Sequence, residues 1–154
     1  GAALCGGRAY ALLADFFAQT ARMMGMDTNA PYAAMEGLLK SADRPEDVPT
    51  VLPLFEGTRQ DSTQTGSITG LTAENFTPLH LIYGMMDGMA HELHQMYQAY
   101  RAAGGTAKKL IGSGGGLRNN RFLCESFSRV FDSAIILSDG REEAACGAAL
   151  YAAD

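Results

Sequence analysis

The segment LIGSGGGLRNNRFL, residues 110–123, constrains this chain more than any other stretch. An apolar run enters three consecutive glycines and leaves into an amphipathic pattern, which reads as strand, tight turn and helix. KKLIGS predicts the strand and Leu117 to Phe131 the helix; AIILS then predicts a buried strand and Glu142 to Ala152 a closing helix. Strand, helix, strand, helix at these lengths predicts α/β layers, with a ligand expected at the carboxyl ends of the strands.

Successive glycines leave backbone amides exposed where no side chain blocks approach, so the turn can touch a phosphate or a nucleoside. A helix dipole would add attraction for an anion, and Arg118 and Arg121 fall in the first turn of the predicted helix. The same residues also suit a tight strand-to-helix turn that holds no ligand. Two nucleotide motifs are excluded. A P-loop needs Lys and then Ser or Thr after its glycines, and this turn has neither. A dinucleotide fingerprint starting at Gly112 or Gly114 meets Leu117 or Asn119 where its last glycine should stand.

Upstream the pattern is mainly helical. Leu12, Leu13, Phe16, Phe17, Met23 and Met24 predict an amphipathic helix from Leu4 to about Met24, ended by Gly25. Asn29 as a cap before Pro31 predicts a second helix to about Lys40, and Asp43 to Pro49 reads as a surface connection. VLPLF and GSITGL are short β-prone runs on either side of the turn-forming GTRQDSTQT. Thr77-Pro78 opens the strongest helix, with Ile82, Met85, Met86, Met89, Leu93, Met96, Tyr97 and Tyr100 on one core-facing stripe and Gly104-Gly105 as its end.

At 154 residues and 47% hydrophobic, the chain suits one globular domain. A formal net charge of -5 repels phosphate backbones, so no nucleic-acid partner is expected. No apolar run is long enough to span a bilayer, so no membrane partner is expected either. Cys5, Cys124 and Cys146 are odd in number and unpaired in spacing, which points to a reducing cytoplasm. His91 and His94 lie three apart on a helix without an evident third ligand, so no metal site is assigned. The abrupt opening GAALCGG, already a glycine-rich turn entering a helix, is expected of a fragment.

Taken in order, GAALCGGRAYALL, PLFEGTRQD, GSITGLT, HLIYGMMDGMAHEL, GSGGGLRNN and EEAACGAAL resemble the C-terminal domain of the FGGY carbohydrate kinases over nearly the whole chain. That resemblance implies a ribonuclease H-like (actin-like ATPase) α/β domain, a mixed sheet flanked by helices, spanning residues 1–154. It implies an ATP-dependent kinase that transfers the γ-phosphate, with Mg, to a sugar or polyol hydroxyl, in the sedoheptulose and xylulose kinase branches. The partner would be an N-terminal sugar-binding domain of the same protein. The catalytic Asp of the family lies upstream of Gly1, so no catalytic residue is assigned here and this piece alone is expected to be inactive.

By the same resemblance, Gly115 would lie against the nucleotide, Asn119 would reach its base or ribose, and Gly7 would line the other side of the cleft. Gly6 and Gly114 would support them. Gly84, Gly88, Gly147, Ala148 and Ala149 are expected to serve packing, and Glu142 to complement a helix dipole. Ala11 and Ser113 depart from the family pattern, where polar and acidic side chains are common. A packing role for Gly7 stays open, as does a non-catalytic actin-like ATP-binding module for the whole. A domain separated from its partner exposes apolar surface, so a homo-oligomer is expected in concentrated solution.

Overall fold

A computed structural model describes residues 6–27, 29–107, 109–138, 148 and 151. Its elements run α1 (Gly6–Met23), α2 (Pro31–Ser41), β1 (Thr50–Leu52), β2 (Ser67–Thr69), α3 (Pro78–Ala102), β3 (Leu110–Gly112), α4 (Gly115–Asn119), α5 (Arg121–Val130) and β4 (Ile135–Leu137).

Local chemistry sets most of these boundaries. Pro31 and Pro78 stand in the first turns of α2 and α3, where a missing N–H costs nothing. Thr77 caps α3 by accepting from the His80 N–H. Gly25 and Gly104 end α1 and α3 in left-handed conformations, φ 74° and 87°, and their N–H groups bond back to the carbonyls of Arg22 and Arg101. Asn29 is not the cap of α2: Ala30 holds that position, without a side-chain bond.

Helix α3 is the axis of the domain. Every residue from Leu81 to Ala90 is buried, and α1, α2, α5 and β1 all pack on it. The wide burial follows from small residues on the face that meets β1. A side chain at Gly84 would meet the Pro49 carbonyl oxygen at 2.7 Å, and one at Gly88 would strike the Val51 backbone. These glycines let helix and strand touch backbone to backbone, the packing role expected of them. Beyond Ala90 the helix emerges, and Tyr100 at the end of the predicted stripe is exposed.

Helix α1 is apolar on more than one face, and neighbours decide which is buried. Ala9, Leu13 and Ala14 enter the core, while Phe16, Met23 and Met24 stay exposed although their spacing predicted otherwise. Strands β1 and β2 pair antiparallel, Val51 opposite Ile68. Strands β3 and β4 pair parallel, Ile111 opposite Ile136. β4 is not the buried strand expected: Ile136 and Leu137 are 48% and 40% exposed, because among the described residues only α5 packs closely on this pair.

The predicted helix from Leu117 to Phe131 is two helices. α4 begins at Gly115 and ends at Asn119; Asn120 is extended and caps α5, its Oδ1 accepting from the Leu123 N–H at 3.1 Å. Asn is a strong helix initiator for this reason, and the cap outcompetes continuation of α4. The predicted closing helix lies largely outside the described residues, including Glu142, Gly147 and Ala149; Ala148 and Tyr151 are helical and exposed.

Asp87 ties three elements together. It is buried in the middle of α3, takes both guanidinium nitrogens of Arg44 at 2.6 and 3.3 Å, and also pairs with Arg129 of α5. Asn75 performs a similar task at the start of α3: its Oδ1 accepts from the Thr72 N–H and its Nδ2 donates to the carbonyls of Asp47 and Gly70. His80 bridges Thr77 and Asp47 nearby, a structural position.

Candidate nucleotide cleft

Between the α1–α2 pair and the α4–α5 corner lies a cleft of about 530 Å³. Gly7 of α1, Gly115 and Gly116 at the start of α4, and Asn119 at its end face this space. Residues 108 to 112 positions apart in sequence therefore share one cleft. Tyr10, Tyr32 and Glu36 complete the α1–α2 wall, Asn120 stands at the corner, and Met89 and Leu123 close the apolar floor.

The glycines here differ from those on α3. A side chain at Gly7 would meet nothing within 4 Å among the described residues, and one at Gly115 only the Asn119 amide nitrogen at 3.8 Å. Among the described residues nothing demands a bare backbone at either position, and the packing role left open for Gly7 has no partner there. Gly114 has another reason to be glycine. Its φ of 97° and ψ of 156° lie where a side chain is strained, and it forms the N-cap of α4. Gly114 shapes the turn rather than lining the cleft.

The electrostatics are nearly neutral. Among the described residues neither Lys nor Arg lines the cleft, and Glu36 is its one acidic side chain, 2.6 Å from Lys40 one turn on. Arg118 and Arg121, expected beside the turn, do not line it. The break at Asn120 moves Arg121 to the opposite side, where it lies over the Phe122 ring at 4.6 Å and shares a separate hollow with Arg44 and Tyr83. With only five residues, α4 also lacks the length to build the dipole that the sequence suggested.

Hydrogen bonding links the two walls. Asn120 Nδ2 donates to the Tyr10 hydroxyl at 3.3 Å, while the same amide caps α5 through its oxygen. Burial pushes the Tyr10 phenol up, with the Asn120 bond acting in the opposite sense, so the hydroxyl is neutral and free to accept. Tyr10 stacks on Tyr32, ring centroids 6.2 Å apart and planes at 24°. Of the residues that line the cleft, sequence reasoning named Gly7, Gly115 and Asn119 but not Tyr10, Tyr32 or Asn120. Only Asn120 carried a signal, its position three residues before Leu123 at a helix start.

Other groups weighed from the sequence serve elsewhere. His94 packs edge-on against Phe131 and sits 2.9 Å from Gln98, while His91 is exposed. Cys124 donates its S–H to the Leu117 carbonyl, and burial pushes its thiol up, away from reactivity. A second cleft of about 330 Å³ between α1, α2 and the start of α3 is lined by Phe17, Met26, Leu38 and Ile82, with Asp27 as its single polar side chain among the described residues. It offers little to orient a ligand. Among the described residues no helix is long and apolar enough to cross a membrane.

Comparisons with known proteins identify the family and the fold. The sequence model of the FGGY family of carbohydrate kinases, C-terminal domain, matches residues 1–153. A xylulose kinase of Bacillus subtilis (strain 168) is 28% identical over 93 residues, 60% of this chain and 18% of that protein. The crystal structure of xylulose kinase from Rhodospirillum rubrum superposes with a TM-score of 0.70 at 24% identity, covering 85% of this chain and 25% of its own. Plasmodium falciparum glycerol kinase with ADP gives 0.62 at 19% identity, covering 89% of this chain and 27% of its own. The chain thus spans about a quarter or less of the length of these relatives, and it shares the actin-like ATPase fold of the solved ones. On the family match and the shared fold together, the chain belongs to the FGGY family of carbohydrate kinases, through their C-terminal domain.

Proposed function

We propose that this domain is the nucleotide-binding half of a carbohydrate kinase and that its cleft receives the base and ribose of ATP. The observation that carries this reading is the convergence of Gly7, Gly115 and Asn119 on one cleft, where nothing among the described residues requires the two glycines to be small. A volume of about 530 Å³ lies within the ordinary range for small-ligand sites. Asn119 offers both a donor and an acceptor, the pair that a purine edge or a ribose requires.

A cleft without a Lys or Arg among its described lining residues suits the uncharged end of the nucleotide. The phosphates, and the Mg that accompanies them, then extend out of it toward an N-terminal sugar-binding domain of the longer protein, with Gly114 shaping the backbone at the rim. ATP supplies the phosphoryl group; the base that deprotonates the sugar hydroxyl belongs to that other domain, because phosphoryl transfer requires donor, metal and acceptor to be positioned together. Xylulose is the favoured sugar, supported by the xylulose kinases of Bacillus subtilis and Rhodospirillum rubrum, with sedoheptulose next. Use of ATP as donor places the reaction in the cytoplasm.

Calorimetric titration of the full natural chain with ADP and with Mg-ATP tests this. Saturable binding is expected, and Asn119→Ala should weaken it about fivefold, the loss of one neutral hydrogen bond. A folded chain that binds neither nucleotide would overturn the proposal.

A further inference from the structure

The wall opposite the glycine turn is aromatic, and its arrangement restricts how a flat ligand can enter. Tyr10 and Tyr32 face each other with centroids at 6.2 Å. A ring inserted between them would need two van der Waals gaps, roughly 7 Å in all. The space between the tyrosines is therefore closed to a base. Tyr10 cannot easily swing aside, since it is half-buried and its hydroxyl accepts from Asn120. Tyr32, at the start of α2, is 53% exposed, with its outer ring face uncovered by any described ring.

We infer that Tyr32 is the stacking platform for the nucleotide base, with Tyr10 bracing it from behind and Asn120 fixing Tyr10. This rests on the reading of the cleft as a nucleotide site and assigns the residue that decides how well a base is held there. Stacking on an aromatic face is sequence-tolerant, because every base has a π face, and it is stronger for the larger purine ring system. Division of labour follows: Tyr32 supplies base affinity, while Asn119 supplies the directional contact. Tyr10 is a positioning residue, acting through Tyr32.

The test measures ADP and CDP binding to the full natural chain by calorimetry, for the wild type and for Tyr32→Phe, Tyr32→Leu and Tyr32→Ala. Tyr32→Phe should bind ADP within about twofold of wild type. Tyr32→Ala should lose about tenfold or more, within the roughly 5- to 150-fold range of base–aromatic stacking. Tyr32→Leu keeps apolar area without a π face; it should also weaken ADP, and it serves if the alanine variant does not fold. The preference for ADP over CDP should shrink in both. If wild type binds ADP and Asn119→Ala weakens it while Tyr32→Ala and Tyr32→Leu bind as wild type, the platform is wrong and the nucleotide site stands. If the folded wild type binds no nucleotide, both fall.

Discussion

Gly84 and Gly88 on α3 and Gly7 and Gly115 at the cleft are the same residue used for opposite ends. At Gly84 and Gly88 the space that a side chain would occupy is already filled by the backbone of Pro49 and Val51. At Gly7 and Gly115 that space is open among the described residues. A glycine that something presses against serves the fold. One in open space that also lines a cleft, with no positive φ to require it, has no such partner among the described residues, and the proposed function gives it a role. The contrast separates stability from binding at single atoms, and each side of it can be tested.

The largest effect should fall on the packed side. Gly88→Val would drive a branched side chain into the Val51 backbone, where no flexible side chain can yield. Helix and strand would have to separate, and overpacking of this kind costs about 3 kcal/mol. For a domain of this size that lowers Tm by roughly 10 °C, measurable by calorimetry. A Tm within two degrees of wild type would show that β1 moves off α3 freely, and the contrast would lose its first half.

Next in size is Asp87→Ala, beside Gly88 and one turn from Gly84. It leaves Arg44 and Arg129 without their shared carboxylate, and it frees the 43–49 connection and α5 from α3. Complete burial of such a group would cost about 3–5 kcal/mol, but Arg44 and Arg129 side chains are 30% and 45% exposed, so about 2 kcal/mol is expected. Urea unfolding should show a lower midpoint with an unchanged slope. Double variants with Arg44→Ala or Arg129→Ala should add little, because each removes a partner already lost. Full additivity would mean that the network does not exist as a unit.

Much of this architecture was legible because local chemistry is written locally. Pro31, Pro78, Gly25 and Gly104 mark helix ends through properties of their own backbones, and the structure places those ends within a few residues of the sequence reading. What could not be read depends on distant partners. Nothing near Asp87 announces Arg44 and Arg129, 43 and 42 residues away. Phe16 and Met24 carry the same apolar signal as Leu13, and only the placement of α3 decides which are covered. The site divides similarly. Gly115 and Asn119 stand on a recognisable turn, whereas Tyr10 and Tyr32 become a wall only when α1 and α2 fold together.

Gly115→Val should change stability least and binding most. Gly115 sits in the first turn of α4 with no positive φ, and a side chain there would approach only the Asn119 amide nitrogen. Val has a somewhat better helix propensity than Gly, so unfolding free energy should stay within about 0.5 kcal/mol of wild type. The added methyl groups project toward the space that a nucleotide would fill, so ADP affinity of the full natural chain should fall by about a hundredfold or beyond detection, the cost of a steric clash a rigid ligand cannot avoid. The outcome that breaks the comparison is a destabilised protein with ADP affinity intact. Gly115 would then belong with Gly84 and Gly88, a glycine the fold itself requires, and the open space beside it would hold no base.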